Sequence, residues 1–233
     1  MKAVILAGGL GTRMRPYTYF LPKPLLPLAD RPLLEHILLW LRENGIEEVI
    51  LCVSYLRHMI EAYFRDGSEW GLKLTYVKSE RPLGTAGQLK TAEPHLDGTF
   101  LCCYGDVLFK FPVKAAEQRH IRRRAIATII GTNYTTRLPY GFLEVRRGRL
   151  VAWREKPEVS GIINTGCFIF EPKFLSYVPA GEVVGMDKAF AALLQAGERA
   201  FVDIYQAEYY DLGSKEGYRR AYAAYLEKLG ELG

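Results

Sequence analysis

The feature that most constrains this sequence is a short apolar run, residues 2–7 (KAVILA), passing without a break into Gly8-Gly9-Leu10-Gly11-Thr12-Arg13-Met14-Arg15-Pro16. A continuous apolar run of this length reads as a central strand covered on both faces. Glycines directly after it let backbone N–H groups close on a phosphate at the carboxyl edge of an open α/β sheet. The segment is not a dinucleotide fingerprint, because Met14 stands at the third glycine position. It is not a P-loop either, because no Gly-Lys-Ser/Thr follows. Pro22-Lys23-Pro24 then frames a lysine between two prolines, which predicts a preorganised charge near Arg13, both cations facing one polyphosphate. A Gly/Pro turn with solvated charges is the plain alternative.

The rest of the chain alternates strand-like and helix-like segments, as expected of an α/β protein with a mixed, mostly parallel sheet flanked by helices. Leu34, Ile37, Leu38 and Leu41 fall at helical spacing and Gly45 is placed to end that helix. Residues 48–53 and 72–78 read as strands around a helix at 57–65. Thr85 and Gln88 have capping-box spacing, so a helix is predicted to begin at Leu83-Gly84-Thr85-Ala86-Gly87, with an N-terminus able to hold an anion or a polar ring edge. Further strands are predicted at 100–104, 126–130, 162–170 and 200–205. A hairpin is expected at 142–154 around Arg147-Gly148, and helices at 113–123, 186–196 and 214–229. With no repeat, low-complexity stretch or linker, residues 1–233 read as one domain.

Composition excludes several classes. With 233 residues, 49% hydrophobic and 24% charged, the chain is neither disordered nor a disulfide scaffold. The net charge of +5 comes without long Lys/Arg runs, so nucleic acid is not an expected partner and small anions are. Cys52, Cys102, Cys103 and Cys167 show no metal-ligand spacing and read as reduced core residues. A strand follows the initial Met-Lys at once and no apolar stretch is long enough to span a bilayer, so no membrane association and a cytoplasmic location are expected. Tyr218, Tyr222 and Tyr225 at helical spacing imply packing or an oligomer face. Arg119, Arg122, Arg123 and Arg124 read as a solvated helix end.

The loop from Gly8 to Pro16 together with Pro22-Lys23-Pro24 resembles the signature of the sugar-1-phosphate nucleotidyltransferases, or NDP-sugar pyrophosphorylases. The resemblance continues in order through Leu83-Gly84-Thr85-Ala86-Gly87, Gly105-Asp106, Tyr140-Gly141, Glu155-Lys156-Pro157, Asn164-Thr165-Gly166 and Asp211-Leu212-Gly213, covering residues 1–217. It implies a Rossmann-like mixed sheet of the nucleotide-diphospho-sugar transferase fold, with a nucleotide-binding half at about 1–110 and a sugar-phosphate-binding half at about 111–233. The implied reaction is NTP plus sugar 1-phosphate giving NDP-sugar plus pyrophosphate, with Mg²⁺ or Mn²⁺ as cofactor and a homo-oligomer as a family habit. At this length the chain is expected to lack the C-terminal left-handed β-helix that many relatives carry. Tyr104 departs from the family, which more often has Asn or a small polar residue there.

The resemblance also implies roles for residues. Arg13, Lys23 and Lys156 would be catalytic. Leu6, Ala7, Gly8, Gly9, Gly11 and Thr12 would bind nucleotide, with Gly84, Thr85, Ala86 and Gly87 as the base- and ribose-binding turn and Glu80 as a further base contact. Gly141, Glu155, Asn164 and Thr165 would bind the sugar phosphate, and Asp106 with Asp211 the metal. Each has a plainer reading: Asp106 as a strand-end turn former, Asp211 as a helix cap, Lys156 in a surface ion pair, Asn164 and Thr165 satisfied within the core, and the glycines of 84–87 as structural. The Leu-Gly-Thr-Ala-Gly form points to GTP with mannose 1-phosphate. A glucose-1-phosphate uridylyl- or thymidylyltransferase, or a non-catalytic nucleotide-sugar-binding regulatory subunit, is the alternative.

Overall fold

In a computed structural model that describes residues 1–230, the opening apolar run forms β1 (Lys2–Leu6). Residues 231–233 of the expected single domain lie outside the described residues. The segment after β1 is not a bare loop: it winds through three 3₁₀ turns and a small ladder of β2 (Pro27–Leu28) and β3 (Arg31–Pro32). Next come α1 (Leu33–Glu43), β4 (Glu48–Val53), α2 (Arg57–Phe64), β5 (Lys73–Lys78), α3 (Gly84–Lys90) and β6 (Phe100–Tyr104). The second half holds β7 (Val107–Phe109), α4 (Val113–Arg122), β8 (Ala127–Arg137), β9 (Phe142–Arg146), β10 (Arg149–Arg154) and β11 (Glu158–Phe170). It closes with α5 (Met186–Gln195), β12 (Ala200–Ile204), β13 (Tyr209–Asp211) and α6 (Lys215–Gly230).

Seven strands form one sheet in the order β12-β8-β11-β6-β1-β4-β5. Only β11 runs against the others, being antiparallel to both β6 and β8, so the expected mixed, mostly parallel sheet is present. Strand alternation sorts side chains into two layers. Ala3, Ile5 and Cys103 pack on the face covered by α1, α2, α4 and α6, and Val4, Leu6 and Cys102 on the face covered by α3 and α5. The four cysteines are free and buried, and burial pushes the Cys52 thiol up to about 12, which keeps it protonated and inert. Leu33, Leu34, Ile37, Leu38 and Leu41 on α1 are all within 2% exposure, each stabilising by about 1.5–3 kcal/mol. Among the described residues no helix is long and apolar enough to cross a membrane.

Two strands outrun their sequence signals. β8 and β11 continue past the core as an antiparallel pair, Tyr134 opposite Gly161 and Arg137 opposite Glu158, and present the hairpin β9–β10 as an exposed arm. Arg147 and Gly148 at its tip both have positive φ, 50° and 77°, as a tight hairpin turn requires. The short pair β7–β13 was not anticipated; three residues carry too little periodicity to read.

Two other expectations are corrected. Arg119 and Arg123 are not a solvated helix end: Arg119 Nε lies 2.9 Å from Asp203 Oδ2 and Arg123 Nη1 2.6 Å from Asp203 Oδ1, clamping α4 to β12 around a carboxylate only 3% exposed. The capping box at Thr85 is absent, because α3 begins at Gly84 and its N-terminus is held from outside, as described next.

Candidate active site

The chain winds from β1 outward through β4 and β5, then returns to lay β6 on the other side of β1. At such a reversal the connections leave in opposite directions and a crevice opens beyond the strand ends. Ala7 N–H extends the ladder to Cys52 O at 2.8 Å, and Gly105 N–H donates to Leu6 O at 2.9 Å. The glycine loop and the Gly105-Asp106 turn therefore emerge side by side. Between them lies a cleft of about 480 Å³, with Arg13, Lys23, Thr85 and Asp106 on its walls.

The loop owes its shape to local chemistry. Gly11 is left-handed, φ 61°, and a Cβ there would lie 2.8 Å from Thr18 Cγ2. Thr18 in turn donates from Oγ1 to Gly11 O at 2.8 Å, so glycine and threonine lock the turn together. Met14 is 1% exposed and roots the loop in the core. Lys23, in a 3₁₀ turn between its prolines, is 7% exposed, and its Nζ meets Asp106 Oδ2 at 2.5 Å. A buried ammonium needs such a partner.

Asp211 arrives from the other strand pair. β13 places it opposite Val107, and Leu212 N–H donates to Asp106 O at 2.9 Å. Its Oδ1 accepts from Gly213 N–H at 2.7 Å; it is Ser214 Oγ that accepts within the first turn of α6, from Gly217 N–H at 3.1 Å. A Cβ on Gly213 would lie 2.6 Å from both Arg13 Nη2 and Asp211 Oδ1, so the missing side chain leaves room for the guanidinium and the carboxylate on either side of this glycine. Asp211 itself lines a second cavity of about 400 Å³ with Tyr209, Tyr210 and Arg220.

Carboxylate oxygens are the donor type that magnesium or manganese takes. Among the described residues no three His, Cys, Asp or Glu side chains cluster to hold a metal ion by themselves. Asp106 lines the first cleft, paired with Lys23, and Asp211 lines the second cavity; both offer the hard carboxylate oxygens that such an ion takes, one or two at a time, with phosphate and water completing its shell.

The turn entering α3 splits the expected nucleotide residues. Gly84 and Thr85 line the cleft, whereas Ala86 and Gly87 are buried behind them with their N–H groups donated to Val184 O at 3.0 and 3.1 Å. Two N–H groups of the first turn of α3 are thus spent on Val184, which leaves those of Gly84 and Thr85 at the cleft wall. Thr85 Oγ1 accepts from Met186 N–H at 2.8 Å instead of capping its own helix. Gln88 crosses over Gly8, where a Cβ would lie 1.8 Å from Nε2, and lines the cleft with Ser54, Arg81 and Tyr104. Sequence reasoning missed these four as cleft residues; Gln88 was visible only as a supposed cap partner. Glu80 lies outside the cleft, 81% exposed and paired with Arg57 at 2.9 Å.

The remaining residues sit on or beside the arm and do not line the first cleft. Glu155 and Lys156 are exposed just after β10, and Lys156 has φ 44°. Asn164 Oδ1 accepts from Gly166 N–H at 2.9 Å, and the buried Thr165 donates from Oγ1 to Ile130 O at 2.7 Å. The break in apolar pattern at these residues is a bulge in the β11–β8 ladder, and the hydroxyl of Thr165 serves that bulge. Tyr104 packs its ring over Gly166, where a Cβ would lie 2.8 Å from Cδ2.

The nucleotidyl transferase family profile matches residues 2–228. The chain is 35% identical to a UTP–glucose-1-phosphate uridylyltransferase of Synechocystis sp., over 98% of this chain and 64% of the relative. It is 37% identical to a mannose-1-phosphate guanylyltransferase of Mycobacterium tuberculosis, over 96% and 64%. A D-glycero-alpha-D-manno-heptose 1-phosphate guanylyltransferase of Aneurinibacillus thermoaerophilus is 32% identical over 95% of this chain and 96% of its own length. The chain therefore spans under two thirds of the first two relatives and nearly all of the third. Among solved structures, HddC from Yersinia pseudotuberculosis superposes with a TM-score of 0.78 at 25% identity, covering 96% of this chain and 99% of that one.

Proposed function

Because the chain belongs to the nucleotidyl transferase family, we propose that it joins a nucleoside triphosphate to a sugar 1-phosphate, giving an NDP-sugar and pyrophosphate. The observation that carries this reading is the pair of buried Lys23 with cleft-facing Asp106 at the mouth of a glycine loop, at the switch point of the sheet. It supports the reading by setting a cation beside a carboxylate on one wall of the cleft.

The nucleophile is an oxygen of the sugar 1-phosphate, largely a dianion at neutral pH because its second pKa is about 6. No side chain has to remove a proton. A bond forms from that oxygen to the α-phosphorus, the bond from the α-phosphorus to the bridging oxygen breaks, and the electron pair leaves with pyrophosphate. The protein's task is to hold two anions in line and to balance the charge that develops. Backbone N–H groups of Gly8, Gly9 and Gly11 cradle phosphate, with Leu6, Ala7 and Thr12 shaping the same wall and Gly84 and Thr85 receiving the base and ribose. Arg13 and Lys23 face the polyphosphate, Lys156 the incoming phosphate, and Glu155 the sugar hydroxyls. Asp106 and Asp211 would hold Mg²⁺ or Mn²⁺, which when bound neutralises phosphate charge.

The substrate pair proposed is GTP with mannose 1-phosphate. Its support is the Leu83-Gly84-Thr85-Ala86-Gly87 turn and the relative named a mannose-1-phosphate guanylyltransferase, while the heptose 1-phosphate guanylyltransferase supports the nucleotide alone. UTP with glucose 1-phosphate is the second reading, favoured by the uridylyltransferase relative of Synechocystis sp.. The test is pyrophosphate release with Mg²⁺ over a grid of GTP, ATP, UTP, dTTP and CTP against mannose, glucose, N-acetylglucosamine and related 1-phosphates. One dominant cell identifies the pair. A grid blank in every cell, for folded protein that still binds a nucleotide sugar, replaces the enzyme by a regulatory subunit.

A further inference from the structure

The arm carries three residues shaped to one another. Gly141 leads into β9, and a Cβ there would lie 2.8 Å from Trp153 Nε1, 2.9 Å from Glu155 Oε2 and 3.0 Å from Trp153 Cε2. The indole N–H of Trp153 donates to Glu155 Oε2 at 2.9 Å. Glycine at 141 thus gives the indole and the carboxylate the room to meet. Burial does not account for the tryptophan, since Trp153 is 62% exposed and a large aromatic left in water forgoes most of its hydrophobic stabilisation. What the residue does supply is one N–H of fixed direction, spent on a carboxylate two positions on. A carboxylate has about four acceptor sites, so this bond fixes Oε2 and the side-chain rotamer while Oε1 keeps its capacity to accept.

We infer that Trp153 is a positioning residue, whose indole N–H, with room left by Gly141, orients the Glu155 carboxylate to accept hydroxyls of the sugar moiety. The inference rests on the proposed function, which gives Glu155 those hydroxyls. It extends the sugar-reading machinery from Glu155 to a residue that touches no substrate. A carboxylate preset in one rotamer reads hydroxyl stereochemistry more sharply than one free to rotate.

The experiment is steady-state kinetics of the full chain, using the sugar 1-phosphate that releases most pyrophosphate in the grid. Trp153→Phe keeps the aromatic ring and removes the donor. It is expected to raise the KM for sugar 1-phosphate roughly fivefold to tenfold, as for loss of one ordinary hydrogen bond of about 1 kcal/mol at a solvent-exposed site, leaving kcat and the nucleotide KM within about twofold. In a Glu155→Ala background the same substitution is expected to add nothing further, the signature of one coupled unit. Gly141→Ala, which pushes the pair apart while keeping both partners, is expected to reproduce the rise in sugar KM. An unchanged sugar KM in Trp153→Phe overturns the inference. So does an equal rise in both KM values with a lowered melting temperature, which is the mark of a merely structural tryptophan. A wild-type chain that turns over no sugar 1-phosphate overturns the proposed function and this inference with it, whereas an active wild type with an indifferent Trp153→Phe overturns the inference alone.

Discussion

Lys23 Nζ and Asp106 Oδ2 meet at 2.5 Å although 83 residues separate them in the chain. The lysine side chain is 8% exposed and the aspartate 32%, so the ammonium is the buried member and the carboxylate the one open to the cleft. The pair couples the glycine loop after β1 to the turn after β6. Residues expected to act separately, one on phosphate and one on metal, are therefore one electrostatic unit.

Asp106→Asn is expected to retain the fold, because Asp106 O keeps its bond from Leu212 N–H and the amide oxygen can still accept from Lys23. It is expected to lower turnover by about 10²–10³, the usual scale for removing one preorganised charge contact. Lys23→Gln falls in the same range, and the double variant is expected to lose less than the product of the two. Pyrophosphate release across a Mg²⁺ titration checks this, and near wild-type rates for Asp106→Asn would sink the assignment.

Gly84→Ala tests the joint between the cleft and the segment before α5. Gly84 has φ 69°, and a Cβ there would lie 2.4 Å from Val184 O and 2.7 Å from Val184 C. The contact is with backbone and cannot be relieved by a rotamer change. A left-handed alanine costs about 1–2 kcal/mol before any collision, so a loss of about 2–3 kcal/mol in urea unfolding is expected, together with weaker nucleotide binding. Unaltered stability would mean that residues 182–186 shift freely away from α3.

Most of the architecture is legible in the sequence because its signals are local. Residues 48–53, 100–104, 142–146 and 149–154 occupy the strands predicted for them, since apolar runs and a two-residue turn fix them without distant partners. What escaped reading depends on contacts far apart in sequence. Thr85 has the spacing of a capping box, yet Val184 and Met186, about a hundred residues later, take over the turn. Arg119 and Arg123 look like a solvated helix end until β12 brings Asp203 beneath them.

The candidate site divides in the same way. The glycine loop, Lys23 and Asp106 could be named because glycines, prolines and a strand-end acid mark the chain locally. That Gln88 lies over Gly8, or that Arg13 packs against Gly213, has no local signal beyond a glycine, whose reason is the neighbour it admits. Gly141 belongs to the same class, its neighbours being Trp153 and Glu155.

Asp203→Ala measures the clamp between α4 and β12. The carboxylate is buried and both guanidinium groups are about one-third exposed, so its removal leaves two cations that water can partly reclaim. The full penalty for breaking a buried pair, about 3–5 kcal/mol, is therefore reduced, and a loss of about 2 kcal/mol is expected. Chemical unfolding reads the value, and kinetics on the folded variant should be unchanged, because none of the three lines the candidate cleft.

His36 holds an Nε2 bond to Leu28 O at 2.8 Å, and burial lowers its pKa from the usual 6.5. His120 is buried completely, with Nδ1 2.8 Å from Thr128 Oγ1 and Nε2 3.3 Å from Glu171 Oε1. Burial lowers its pKa too, outweighing the upward pull of Glu171. Both rings thus bind a proton more readily in the unfolded chain than in the folded one. Their stabilisation is complete above 6.5 and is lost as pH falls through the depressed folded-state values. Asp30 and Asp97, lowered from 3.8 by Arg31 and Lys2 respectively, give the same sign, but only at lower pH. A fall in the urea midpoint between about pH 7 and pH 5 is therefore assigned to the histidines. His36→Gln and His120→Gln should each flatten that fall, and a wild-type midpoint that stays level across the interval would remove the burial argument for both rings.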